Sequence, residues 1–160
     1  MNEHVALKVP DTHGYDADFC EWSMSQAEII RAGRIDRLDV ENVAEEIESL
    51  ARSDRRTIAN QMIRLAEHLL KLTYAQDRSP RYGWQKSVMD SRDEIAMVVR
   101  ESPSLRRELP GMFEEAWPRG VRRAVKGLSE YGDETAAKLV ATAVRTSVDK
   151  ALDEDFFPGD

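Results

Sequence analysis

From Asp39 to about Ala75 the apolar residues Val40, Val43/Ala44, Ile47, Leu50/Ala51, Ile58, Met62, Leu65, Leu69 and Leu72 recur at three- and four-residue steps. With each residue advancing about 100°, they fall within a stripe roughly 100° wide. The pattern predicts one long helix, which at about 1.5 Å per residue measures on the order of 50 Å. Such a helix cannot cover its own apolar face, so other helices must pack along it. Asp39 suits its N-cap, and Glu41, Glu45, Glu46 and Glu48 place negative charge at the positive end of the helix dipole. Asp54 interrupts the stripe, which predicts either a cation facing it from another helix or a local bend.

Helical periodicity continues on both sides of this segment, and no alternating run of β-branched and aromatic residues bounded by turn residues is present. A first helix is expected over roughly Asp16–Ala32, burying Tyr15, Phe19, Trp22, Gln26 and Ile29/Ile30, with Gly33 placed to end it. Asp77-Arg78-Ser79-Pro80-Arg81-Tyr82-Gly83 reads as a connection. A third helix over Trp84–Glu101 buries Trp84, Val88, Ile95 and Val99, and Ser102-Pro103-Ser104-Leu105 stops it. The fourth starts near Pro110 along Phe113, Trp117, Val121, Ala124 and Leu128, and Pro118 must kink or restart it. The last runs from about Asp133 to Leu152 along Ala136, Val140, Val144, Val148 and Leu152. The expected fold is all-α: a single-domain bundle of about five helices over residues 1–160, built around the long helix 39–75, with 1–14 as a flexible N-terminal arm and 153–160 as a tail.

Composition narrows the function classes. The chain has 160 residues, 41% hydrophobic and 33% charged, which is a folding composition rather than a disordered one. Its longest apolar run is Ile95–Val99, far short of the roughly 20 residues of a membrane span. The start Met1-Asn2-Glu3-His4-Val5 lacks the basic and apolar segments of a secretory signal, and the single cysteine, Cys20, cannot close an intrachain disulfide. A cytoplasmic protein is expected, with Cys20 as a small buried residue of the first helix. The net charge is −7, but it is unevenly spread. Residues 1–51 carry 4 basic and 12 acidic side chains, 52–126 carry 16 and 10, and 127–160 carry 3 and 8. The acidic ends are expected to lie against the basic centre, with a partner as the alternative use of that asymmetry.

Several of these residues together resemble a bacterial family, the domain of unknown function number twenty-nine. They are Tyr15, Asp18 and Trp22; Gly33 with Leu38-Asp39-Val40-Glu41-Asn42; Glu45-Glu46-Ile47-Glu48-Ser49; His68-Leu69-Leu70-Lys71; Gln76, Arg78 and Trp84; Ser102-Pro103-Ser104-Leu105; and Asp153-Glu154-Asp155-Phe156-Phe157-Pro158. The chain departs from the family where a Cys-Pro segment is expected before the final helix, which here reads Thr142-Ala143-Val144-Arg145, and at Pro118. The resemblance implies a helical fold and no activity, and it marks Trp22, Glu45, Glu46, Glu48, His68 and Lys71 as positions of unknown role.

Chemical constellations are sparse. A di-iron bundle needs Glu-x-x-His, but Leu65 and Arg64 stand three and four residues before His68. His68 is therefore expected as a structural histidine at the edge of the core stripe, and no metal or cofactor is expected. Glu41, Glu45 and Glu48 form an ordinary charged ridge leading to Arg52, whereas Glu46 points elsewhere, toward a basic partner such as Arg78. No nucleophile elbow, phosphate loop or Cys/His pair is present. Arg119, Arg122, Arg123 and Lys126 lie opposite the apolar stripe of the fourth helix. With Arg78, Arg81, Trp84, Tyr82 and Lys86 they form a basic and aromatic surface that is either solvated or a contact for anions or nucleic acid. The reading is a non-enzymatic protein-interaction or regulatory module, contacting a protein partner or a second copy of itself through its charged helix faces or its acidic, aromatic tail. The alternatives are a nucleic-acid-binding accessory protein using residues 78–126 and an unrecognised metal-dependent enzyme.

Overall fold

A computed structural model describes residues 14–159. Its elements are α1 (Phe19–Arg31), a 3₁₀ turn (Ile35–Arg37), α2 (Val40–Tyr74), α3 (Arg81–Glu101), a 3₁₀ segment (Pro103–Glu108), α4 (Leu109–Glu130), α5 (Glu134–Ala141) and α6 (Val148–Leu152). Among the described residues there is no strand, and the fold is an all-α bundle as expected. Apart from Gly14, the arm expected over 1–14 lies outside the described residues. The chain divides into two compact units, one ending at Ala51 and one beginning at Arg52, and α2 contributes to both.

In the first unit Asp18 caps α1 by accepting from the Glu21 N–H at 2.9 Å. Gly33, at φ 68°, ends the helix in the left-handed region that only glycine enters without cost. Asp39 then organises the turn into α2. Its carboxylate accepts from the Trp22 indole at 3.2 Å, from the Asn42 side chain at 2.8 Å and from the Asn42 N–H, while its own N–H donates to Gln26 at 2.9 Å. Trp22 is the one buried residue of α1, edge-on to Tyr15 at 4.8 Å. The rest of the expected apolar face differs. Phe19, Ile30, Val40, Ile47 and Leu50 are exposed, and so is Cys20. Within this unit only α1 is available to cover the first turns of α2, and one helix of modest length cannot cover a broad apolar stripe.

In the second unit the stripe of α2 behaves as its periodicity predicts, with Ile58, Met62 and Leu65 fully buried and Leu69 and Leu72 nearly so. They pack with Val88, Ile95 and Val99 of α3 and Phe113 of α4, while a second cluster gathers Leu70, Ala124, Leu128, Ala136, Ala137 and Val140. Trp117 packs against both. Asp54 accepts from the Ser102 hydroxyl at 2.7 Å, so a hydroxyl rather than a cation answers the break in the stripe. Two helical expectations change. First, of the two outcomes expected at Pro118, a kink or a restart, the restart does not occur, since α4 runs unbroken through it. The carbonyl freed by proline's missing N–H belongs to Glu114, and both residues lie on the exposed side where water can satisfy it. Second, the single last helix is two, α5 and α6. Thr142, Val144 and Thr146 are β-branched, and Ser147 caps a new start by accepting from the Lys150 N–H at 3.2 Å.

At Gly120, α4 approaches α2 closely. A Cβ placed on Gly120 would stand 2.5 Å from the Ala66 Cβ and 3.1 Å from the Ile63 carbonyl oxygen. Gly111, also in α4, has open space around it. Gly120→Ala is therefore expected to destabilise by roughly 1–3 kcal/mol, the overpacking cost exceeding the helix-propensity gain. Gly111→Ala is expected to stabilise by up to about 1 kcal/mol. Urea midpoints of the two variants check the pair.

Candidate interaction surfaces

Of the residues marked out by charge, Arg119, Arg122, Arg123 and Lys126 come together. With Asn60 and Ile63 of α2 they line a depression of about 380 Å³. A second depression of similar size adjoins it, sharing Ile63 and Arg119 and adding Arg55, Arg56, Glu108 and Glu115 at its edges and Ala59, Met112 and Ala116 as apolar surface. The two form one cleft between α2 and α4 with a basic rim. Arg55 grips Glu108 with two hydrogen bonds of 2.9 and 3.1 Å, which holds the Glu108 carboxyl below its ordinary range and the Arg55 guanidinium above its own. Lys126 stands 3.7 Å from Glu130. Arg56, Arg119, Arg122 and Arg123 make no ion pair with any described residue. Sequence reasoning found the α4 half of this cleft and missed Arg55, Arg56 and Asn60, which only the pairing of α2 with α4 brings alongside.

Arg78, Arg81 and Trp84 lie elsewhere. Trp84 packs against the main apolar cluster. Arg78 donates to the Gly159 carbonyl at 2.6 Å, and Arg81 to the Pro158 carbonyl at 3.0 Å. Arg92, which sequence reasoning missed, completes the arrangement. It is 4% exposed, and its guanidinium donates to the carbonyls of Ala151 (3.0 Å), Glu154 (3.3 Å) and Phe156 (2.7 Å) and lies 5.0 Å over the Phe157 ring. The segment Asp153–Pro158, expected as a partner-binding tail, is thus docked, and it is held through its backbone rather than its carboxylates. A signal was present: Arg92 stands on the stripe of α3, four residues after Val88 and three before Ile95. Arg92→Lys keeps the charge but loses the planar fork. It is expected to cost roughly 2–3 kcal/mol and to speed amide hydrogen exchange over residues 153–158.

The remaining family-like positions lie in both units. Glu46 accepts from the Tyr15 hydroxyl and from Ser49, and the bond from Tyr15 raises that phenol's pKa. Glu45 and Glu48 are exposed. Lys71 is buried against Gly127 and pairs with Glu67 at 2.6 Å. His68 has a buried Nδ1 without a hydrogen-bond partner. Burial is the main cause that pushes its pKa down to about 4, Lys71 and Arg64 adding to the shift and Glu67 opposing it. Among the described residues no three of His, Cys, Asp and Glu converge.

The His68 shift has a definite sign. The unfolded imidazole takes a proton near pH 6.5 and the folded one near 4, so its stabilising contribution is complete above 6.5 and is lost as pH falls toward 4. At about 1.4 kcal/mol per pH unit, roughly 2 kcal/mol is lost by pH 5. His68→Gln should flatten the urea midpoint between pH 6.5 and 5. The lowered carboxyls of Asp39, Asp77 and Glu108 are held down by hydrogen bonds from Asn42, Ser79 and Arg55, and they take effect only at lower pH, near and below their ordinary values.

The first unit presents a surface of another kind. Phe19, Trp22, Ala27 and Ile30 of α1 and Val43, Ile47 and Leu50 of α2 line a groove of about 320 Å³, almost wholly apolar, with Glu46 at its edge. Apart from Ala27 and Glu46, these are residues that sequence periodicity assigned to a core.

No curated protein and no solved structure matches the chain. One family model does, over residues 15–157, and it spans both units, the Asp39 turn, the basic cleft and the docked tail. By that match the chain belongs to the family described as domain of unknown function DUF29.

Proposed function

We propose that this protein is a non-enzymatic interaction module, working in the bacterial cytoplasm, whose protein-docking face is the apolar groove of the first unit. One observation carries the reading: Ile47 and Leu50 are 63% and 68% exposed at a groove lined also by Phe19, Trp22, Ile30 and Val43, with the polar Ser23, Gln26 and Glu46 as its remaining larger side chains. Contiguous apolar surface left open to water costs free energy, and such patches mark binding sites for protein. An amphipathic helix, from a partner or from a second copy of this chain, is the element that fits a groove between two helices.

The nucleic-acid alternative keeps a narrower base than the whole segment 78–126. Arg78 and Arg81 hold the tail and Trp84 packs against the core, so these three are taken up within the fold while Arg119, Arg122, Arg123 and Lys126 of α4 stay on the surface.

Capture from the native lysate, with and without nuclease, tests the reading against the double variant Ile47→Glu/Leu50→Glu. A stoichiometric protein that survives nuclease and is lost in the variant, with circular dichroism unchanged, is the expected result. A second copy detected by light scattering, and lost in the same variant, meets the expectation equally. Bound material that vanishes with nuclease would overturn it.

A further inference from the structure

The basic cleft between α2 and α4 shares no residue with the apolar groove, so its occupancy does not depend on the groove being filled. We infer that this cleft docks an acidic protein segment carrying apolar anchor residues, and that nucleic acid is not its occupant.

Charge sets the first requirement on an occupant. Arg56, Arg119, Arg122 and Arg123 make no ion pair with a described residue, although the chain as a whole carries an excess of seven acidic groups. These guanidiniums line two adjoining depressions that share Arg119, and an anionic occupant offsets the positive charge gathered there. Guanidinium is also the group best shaped to take a carboxylate with two parallel hydrogen bonds. Both a protein segment and a phosphate backbone satisfy this first requirement.

The floor and the far edge separate the two. Beneath the arginines the cleft is apolar, formed by Ile63, Ala59, Met112 and Ala116. A phosphodiester chain gains nothing from such a floor, whereas a leucine or phenylalanine side chain entering it is removed from water at roughly 25 cal/mol per Å². Glu108 and Glu115 stand on the same cleft and repel phosphate. A protein segment can place a neutral or basic residue opposite them. No aromatic ring lines either depression, so the stacking platforms that hold single-stranded nucleic acid are missing from this surface. The apolar surface beside Arg119, with the paired carboxylate of Glu108 on the same depression, thus suits an anchor side chain, and Arg122 and Arg123 of the adjoining depression take acidic residues next to it.

Fluorescence anisotropy on the full chain tests this with three labelled probes. They are a 16-residue helical peptide with leucines on one face and glutamates on the other, its analogue with every leucine replaced by serine, and a 20-nucleotide single strand, also tried as a duplex. The expected result is binding of the first peptide, weakened at least tenfold in the serine analogue and at least tenfold by Arg122→Glu/Arg123→Glu. Its affinity should change by only a few fold between 0.1 and 0.3 M salt, where nucleic acid held by several phosphates would lose far more. Arg56→Glu, on the opposite wall, serves as the second variant and should weaken the peptide by several fold. Tighter binding of the oligonucleotide with steep salt dependence would overturn the inference. So would equal binding of the serine analogue, an affinity that neither arginine variant changes, or no binding of the peptide at all. None of these outcomes bears on the groove, which Ile47 and Leu50 report separately.

Discussion

The approach of Gly120 to Ala66 sets the geometry of the second unit. Two helices pack about 8–10 Å apart when ordinary side chains separate them. Here a hydrogen on one helix faces a methyl on the other, and the axes close until even a single added carbon would overlap. The cleft residues are a by-product of that closeness. Arg119 sits next to the contact glycine on α4, and Ile63 stands one turn before Ala66 on α2, so the residue pair that joins the two depressions flanks the contact itself. Two turns further on, Gly127 lets the Lys71 side chain lie flat beneath α4, where it reaches Glu67. A protein that needed less intimacy between α2 and α4 could spread the arginines apart. This one cannot.

How much of the fold was legible in the sequence depends on what periodicity measures. Apolar spacing reports which side of a helix is fit to be buried, and from Ile58 to Leu72 every such residue is buried because three other helices are there to cover them. The same spacing in Val40, Ile47 and Leu50 carries the same message, yet these stand in water, since fitness for burial says nothing about whether a covering element exists. The break between α5 and α6 was open to detection, because Ser147 and the β-branched residues before it are local signals, but a continuous apolar register through Val144 outweighed them. Arg92 was missed for a different reason. A single cation on a core stripe looks like a defect until the tail it holds is seen, and the pairing of residues 59 or more apart is beyond any local pattern.

The charge asymmetry of the chain resolves in a way that counting could not foresee. The basic centre does hold the acidic C-terminal segment, but Arg78, Arg81 and Arg92 hold it by carbonyl oxygens, leaving the carboxylates of Asp153, Glu154 and Asp155 at the surface. Opposite charges are thus brought near one another without being joined. Burial of the Arg92 guanidinium lowers its pKa, while the nearby Asp153 and Glu154 charges oppose that shift from a distance. The electrostatic design is one of weak, distributed attraction combined with strong, short hydrogen bonds, and the second of these gives position.

A guanidinium whose hydrogen bonds all go to main-chain oxygens reads the path of the chain, and here the Phe157 ring beneath it adds a side-chain contact. Any residue can supply a carbonyl, so the Arg92 hydrogen bonds by themselves place no demand on the side chain of Glu154. The length between Ala151 and Pro158 is what the three bonds fix, since one residue gained or lost there would take all of the Arg92 bonds out of register at once.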